Sequence, residues 1–328
     1  ITFLVIQPVV SLPKFKNPKL SSLERTWYLI GPMTLAEKVG HMLCPLGWEM
    51  CDKKDNTTVT RSQKFEQFVK ERQIGMLWTT YRADPWTQKT LENGLNPALA
   101  AQAGNALQKY IIESTRLGIP ISVAEECPHG HMAIGATVFP TAIGQAATWN
   151  PALNTEMSSV IAKEARMQGA HIGYGPVLDL AREPRWSRTE EAYGEDPVLI
   201  AHMGEAYVKG MGSGDLSKAY SMISTLKHFV AYGVPEGGHN GNPNSVGMRD
   251  LKENYLPPFG AAVKAGALSV MTAYNSIDGV PCTSSEYLLK DVLHKEWEFK
   301  GFTVSDLGSI EGLKGSHHVA ETMQDAAV

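Results

Sequence analysis

The stretch GFTVSDLGSI (301–310) sets an acidic side chain where chemistry is commonly done. An apolar, β-prone run from Gly301 to Val304 delivers Ser305-Asp306, and Gly308 permits a sharp turn directly afterwards. A carboxylate at the end of a buried strand is expensive to desolvate unless it has a partner or a task. Barrels of alternating strands and helices place their reactive groups at that end of the sheet. The structural alternative for Asp306 is to cap the following helix. A second run, ISTLKHFV (223–230), carries Lys227-His228, a cation and an imidazole suited to hydrogen bonding vicinal hydroxyls. If Lys227 shares a pocket with Asp306, its charge favours the ionised carboxylate; the alternative is a structural ion pair. A third run, IPISVAEE (119–126), ends in Glu126, which accepts hydrogen bonds and suits a pair of sugar-type hydroxyls or a loop ion pair.

Further polar groups fall at strand ends: Asp179 in HIGYGPVLDL (171–180) and Tyr274-Asn275 in ALSVMTAYN (267–275). His129 and His131 form an HxH after Glu126, and with Lys227, His228 and Asp306 they raise the alternative of a metal-dependent hydrolase. That chemistry wants further single histidines ending later strands, whereas His171 begins one. The segment DLAREPRWSRTEEAYGEDP (179–197) holds arginines 182, 185 and 188 among many carboxylates, and reads as a loop stiffened by its own ion pairs, with Arg182 or Arg188 bordering the pocket. Arg166, read alone, is a cation at a helix C-terminus. The glycine-rich loop 233–245 reads as a mobile flap.

These groups need elements to hold them. Thr34 with Glu37 forms a capping box, and Asn96-Pro97, Asn150-Pro151 and Asp196-Pro197 each set an N-cap before proline at the first helical position. Gly118, Gly169 and Gly266 mark helix ends after 97–117, 151–168 and 250–265. Between the helices lie β-rich runs at 75–81, 119–126, 171–180, 223–230, 267–275 and 301–306, several apolar at consecutive positions, as strands buried on both faces require. Repeated strand–helix units predict an α/β fold, a (β/α)8 TIM-type barrel, with a further short strand within 136–140 and the last unit incomplete at the C-terminal end. No GxGxxG or Walker sequence supports an open nucleotide-binding sheet.

Composition narrows the partners. A net charge of −4 with no basic run argues against nucleic acid and anionic membranes. No run reaches the ~18–20 apolar residues of a membrane-spanning helix. Cys44, Cys51, Cys127 and Cys282 form no CxxC pair and read as thiols, with a Cys44–Cys51 bridge as the alternative. ITFLVIQPVVS (1–11) reads as the end of a secretory apolar region, so residues 1–17 are expected to be a leader and the protein secreted or periplasmic.

Taken together, PVLDLAREPRWSRTEEAYGEDP (176–197), KHFVAYG (227–233), NYLPPF (254–259), MTAYNSIDG (271–279) and GFTVSDLGSI closely resemble the amino-terminal barrel of family 3 glycoside hydrolases, over residues 18–328. The resemblance implies retaining exo-hydrolysis of terminal β-linked sugars, β-glucosidase first and β-xylosidase second, acting on β-linked oligosaccharides or aryl glycosides. It implies Asp306 as nucleophile, Glu126, Arg166, Lys227 and His228 as hydroxyl-binding residues, Tyr274 near the nucleophile, and Arg249 as a further arginine. No cofactor and no metal is implied. The family's acid/base usually lies in a following α/β sandwich domain, absent from residues 1–328; a branch that uses a histidine after the KHF motif has a different signature from the GVPEGGHN around His239. Leu307 stands where many relatives carry Trp, and Ser187 replaces a usual Gly. Glu126 in place of the commoner Asp lengthens the acceptor by one methylene, which would narrow the terminal subsite towards a pentose. The competing expectation is a non-catalytic sugar-binding barrel.

Overall fold

The computed structural model describes residues 13–328, so most of the expected leader lies outside the described residues. Six parallel strands are hydrogen-bonded in chain order: β1 Met76–Trp78, β2 Ser122–Glu126, β3 Ile172–Val177, β4 Ile223–Phe229, β5 Ser269–Thr272 and β6 Phe302–Ser305. Every pairing in this sheet is parallel, and helices connect the strands, which is the (β/α)8-type barrel fold. All six expected strands form, each shorter than its apolar run.

The expected strand within 136–140 does not. Its backbone is engaged locally: Thr137 N–H donates to the Glu164 carboxylate at 2.8 Å, and Phe139 N–H to the His129 carbonyl at 2.9 Å. The position beside β1 is taken instead by residues 43–47. Met76 N–H donates to the Leu43 carbonyl (3.2 Å), Trp78 N–H to Pro45 (3.0 Å), and Gly47 N–H to Trp78 (2.7 Å). Pro45 has no N–H to give and takes part only as an acceptor, which hides this strand from a pattern reading. Among the described residues, the 43–47 segment and β6 are not paired with each other.

The outer helices follow their capping signals. Helix α1 (Pro97–Ser114) starts with Asn96 Oδ1 accepting from Leu99 N–H at 2.9 Å, and α2 (Pro151–Gln168) with Asn150 doing the same for Leu153 at 3.1 Å. Helix α3 (Pro197–Gly210) is capped by Asp196, which accepts from Val198 and Leu199. α2 ends at Gly169, whose φ of 108° is open to glycine at little cost. α1 stops short of the expected 117, at Ser114. Residues 251–255 form a wide π-type turn before α4 (Leu256–Lys264), because Pro257 and Pro258 cannot donate the next two helical hydrogen bonds. A last helix, α5 (Ser309–Gly315), follows β6. No helix among the described residues is long and apolar enough to cross a membrane.

The barrel interior is packed by Ala124, Ile172, Tyr174 and Met271, with Met76, Trp78, Ile223 and Val304 against them. A larger cluster including Leu226, Phe229, Phe259 and Val270 joins the sheet to its helices. All four cysteines are free thiols, so the Cys44–Cys51 bridge is not formed.

Candidate active site

Alternation along the strands brings the polar groups to one mouth. Side chains two apart share a face of a strand, so Glu126 continues the inward phase of Ala124, Lys227 that of Ile223 and Thr225, and Asp306 that of Val304. All three end their strands on the same side of a parallel sheet. Asp306 is 8% exposed. It does not cap α5, whose N-cap is Gly308 with no side-chain hydrogen bond. Its Oδ1 accepts from Leu307 N–H at 2.7 Å and from Tyr274 OH at 3.0 Å, while Oδ2 has no partner and faces His228 Nε2 at 3.6 Å. Burial raises the Asp306 pKa above the ordinary aspartate value; Lys227 is the strongest opposing influence, followed by Leu307 N–H and Arg188. As expected, the Lys227 charge favours the ionised form, but desolvation outweighs it.

Lys227 has a direct partner. Its Nζ lies 2.7 Å from Glu126 Oε2, and both side chains are almost fully buried. Neighbouring Glu125 points the other way, its Oε1 accepting from Tyr81 N–H at 2.9 Å, and burial raises its pKa to about 8.

His228 follows Lys227 across a cis peptide bond. Its Nδ1 is 2.8 Å from Asp179 Oδ2, and its backbone N–H is 3.3 Å from both Asp179 oxygens. Arg188 Nη2 approaches His228 Nε2 at 3.1 Å. The same guanidinium grips Glu191 bidentately (2.6 and 2.8 Å) and donates to Tyr232 OH at 3.3 Å. Burial would raise Glu191, but Arg188 outweighs it and leaves the carboxyl below its ordinary value. Burial, Arg188 and Lys227 all hold His228 well below the usual imidazole range.

The structure thus brings together Asp306, Glu126, Lys227, His228 and Tyr274, and adds Arg188, Asp179 and Glu191. His317, whose Nε2 donates to the Tyr274 carbonyl at 2.8 Å, also joins; no sequence pattern marked it. Two expected residues do not belong. Arg166 donates to the Ala170 carbonyl at 3.2 Å, just before β3 begins, at the opposite end of the strands from Asp306. Arg249 is highly exposed and pairs with Glu253, one helical turn along. The 179–197 loop is internally paired through Arg185–Glu183 and Arg188–Glu191, but Arg182 reaches out to Asp250.

The 233–245 loop is not a free flap. Trp186 Nε1 donates to Asn240 at 2.8 Å, Asn244 to the Ala231 carbonyl at 2.8 Å, and Ser245 to Glu236 at 3.0 Å. His131 is buried against the Tyr81 ring, and among the described residues no group of three His, Cys, Asp or Glu side chains is arranged to hold a metal ion.

Asp306, with its buried and unpartnered oxygen, thus stands at the barrel mouth beside Lys227, His228, Arg188 and Glu126. The model of the glycosyl hydrolase family 3 N terminal domain matches residues 34–327. The chain belongs to glycosyl hydrolase family 3. It is 34% identical over 327 residues to a periplasmic beta-glucosidase of Salmonella typhimurium, covering 98% of this chain and 38% of that protein. It is 42% identical over 222 residues to a beta-xylosidase of Formosa agariphila, covering 65% of this chain and 31% of that one. Among solved structures, a β-glucosidase from Erythrobacter marinus superposes with a TM-score of 0.85 at 31% identity, over 96% of this chain and 40% of that chain. The family 3 barrel therefore spans well under half the length of these relatives.

Proposed function

We propose that this family 3 barrel is the nucleophile-bearing domain of a secreted or periplasmic retaining β-glycosidase, a β-glucosidase first and a β-xylosidase second. The observation that carries this reading is Asp306, a strand-end carboxylate whose Oδ2 has no hydrogen-bond partner. Asp306 attacks the anomeric carbon, the glycosidic C–O bond breaks, and its electron pair leaves with the departing oxygen. Water then displaces Asp306 from the glycosyl intermediate. Glu126, held by Lys227, accepts from the outer hydroxyls of the terminal sugar; Lys227, His228 and Arg188 grip the rest. A general acid needs a carboxyl free to hold and give a proton, and Glu126, Asp179 and Glu191 are each tied to a cation or imidazole. We therefore assign the acid/base to a further domain, in keeping with the greater length of the relatives. The names of those relatives support the choice of glucose and xylose, and one of them supports the location.

A 2,4-dinitrophenyl β-glucoside tests this directly, because its leaving group departs without an acid. The chain should release dinitrophenolate, Asp306→Gly should cut that rate by at least about 1000-fold, and azide should restore it with formation of the α-glycosyl azide. Undiminished turnover by the variant, or rescue without any glycosyl azide, would count against Asp306.

A further inference from the structure

We propose that Asp179 is a positioning residue: with Arg188 it fixes His228 as the Nδ1–H tautomer, and so keeps Asp306 Oδ2 free of any donor. This rests on the reading of Asp306 as nucleophile.

His228 is enclosed on every side by charged or polar groups. Asp179, Arg188 and Glu191 come from the chain after β3, Lys227 precedes it on β4, Asp306 stands at the end of β6, and the Tyr232 ring packs edge-on at 4.9 Å. The ring is neutral at working pH, so it carries one proton, on either Nδ1 or Nε2. Arg188 decides which. A guanidinium has only N–H groups to offer, and one lies 3.1 Å from Nε2; a proton on Nε2 would set two donors against each other. Nε2 is therefore bare, and the proton sits on Nδ1, where Asp179 Oδ2 receives it at 2.8 Å.

Burial favours a neutral Asp179, raising its pKa to about 8 even against the lowering pull of Arg188, the His228 N–H and Lys227. That state would donate to Nδ1 and force the ring proton onto Nε2, donor against donor with Arg188 at 3.1 Å; it is this hydrogen-bond geometry, not the charge of Arg188, that argues for the carboxylate. The consequence reaches the nucleophile. A proton on Nε2 would point across 3.6 Å towards Asp306 Oδ2 and occupy the lone pairs that attack the sugar. With Nε2 bare, Asp306 is spared, and the imidazole can accept from a substrate hydroxyl that displaces Arg188.

The test reads the tautomer itself and does not depend on catalysis. In ¹⁵N-histidine-labelled protein the two ring nitrogens of a neutral imidazole have widely separated shifts, and His228→Gln identifies the signals that belong to His228. The native chain should show Nδ1 protonated, Nε2 bare, and an Nδ1–H that exchanges slowly with solvent. Asp179→Leu, which removes the acceptor while keeping the branched side-chain skeleton, should lose the slow exchange and the single tautomer, and lower dinitrophenyl glucoside turnover roughly 10–100-fold. Asp179→Asn, which keeps a carbonyl acceptor, should recover part of both. A native ring protonated on Nε2, or Asp179→Leu retaining the slow exchange and single tautomer, would overturn the proposal. Should Asp179→Leu not fold, the native spectrum and Asp179→Asn decide it. Absence of turnover with the native tautomer as proposed would instead remove the hydrolase reading.

Discussion

Four carboxylates crowd the mouth of this barrel, and their partners give them different work. Glu126 is matched to Lys227, Glu191 to Arg188 and Asp179 to His228. Asp306 is held instead by Leu307 N–H and Tyr274 OH on one oxygen, and its other oxygen is buried without a hydrogen-bond partner. Its raised pKa has a kinetic consequence. In the proposed mechanism Asp306 must be ionised to attack, so activity should fall as pH drops through its folded pKa, and burial sets that fall above the usual aspartate range. Tyr274 OH opposes burial by donating to Oδ1. In Tyr274→Phe the acid limb of the pH profile for dinitrophenyl glucoside should therefore move to higher pH, with roughly a 10-fold lower rate on the plateau. A limb that stays in place or moves down would show that Tyr274 does not support the anion.

At the scale of elements, the turn between β6 and α5 follows Asp306 directly and fixes its direction. Gly308 has a φ of 74° with nothing within 4 Å of an added Cβ, so alanine there meets only backbone strain. Gly308→Ala should cost about 1–2 kcal/mol and lower Tm by several degrees, with a loss of turnover because the turn follows Asp306 directly. Gly315, helical and equally uncrowded, is the control: Gly315→Ala should gain about 0.5–1 kcal/mol. Equal effects at the two sites, read by thermal melts, would contradict the assignment of strain. The strand-end residues were legible because period two and the carboxyl-end rule act together on Glu126, Lys227 and Asp306. Arg166 was misplaced by its motif, although topology excludes it: α2 runs antiparallel to the strands, so its last turn lies at their amino ends. Arg188 could not be singled out, because three arginines share one loop with five carboxylates, and only the folded loop settles the pairing. Residues 43–47 escaped notice because Pro45 breaks the strand pattern while still accepting in the ladder.

At the scale of the whole molecule, a mildly acidic chain with no basic run fits an uncharged glycan better than a polyanion. In the proposed mechanism the barrel supplies the nucleophile and the hydroxyl-binding ring from β2, β4, β5, β6 and the loop after β3, while over half the length of its relatives lies beyond the matched region. The fold is therefore read as a scaffold that holds one half of a two-carboxylate mechanism in place. The most direct check is to trap the glycosyl intermediate. Incubation with 2,4-dinitrophenyl 2-deoxy-2-fluoro-β-glucoside slows both steps, but its leaving group still allows the first, so the adduct accumulates. Peptide mass spectrometry should then place one fluoroglucosyl group on Asp306; a label on any other carboxylate, or dinitrophenolate release with no covalent adduct, would contradict the account.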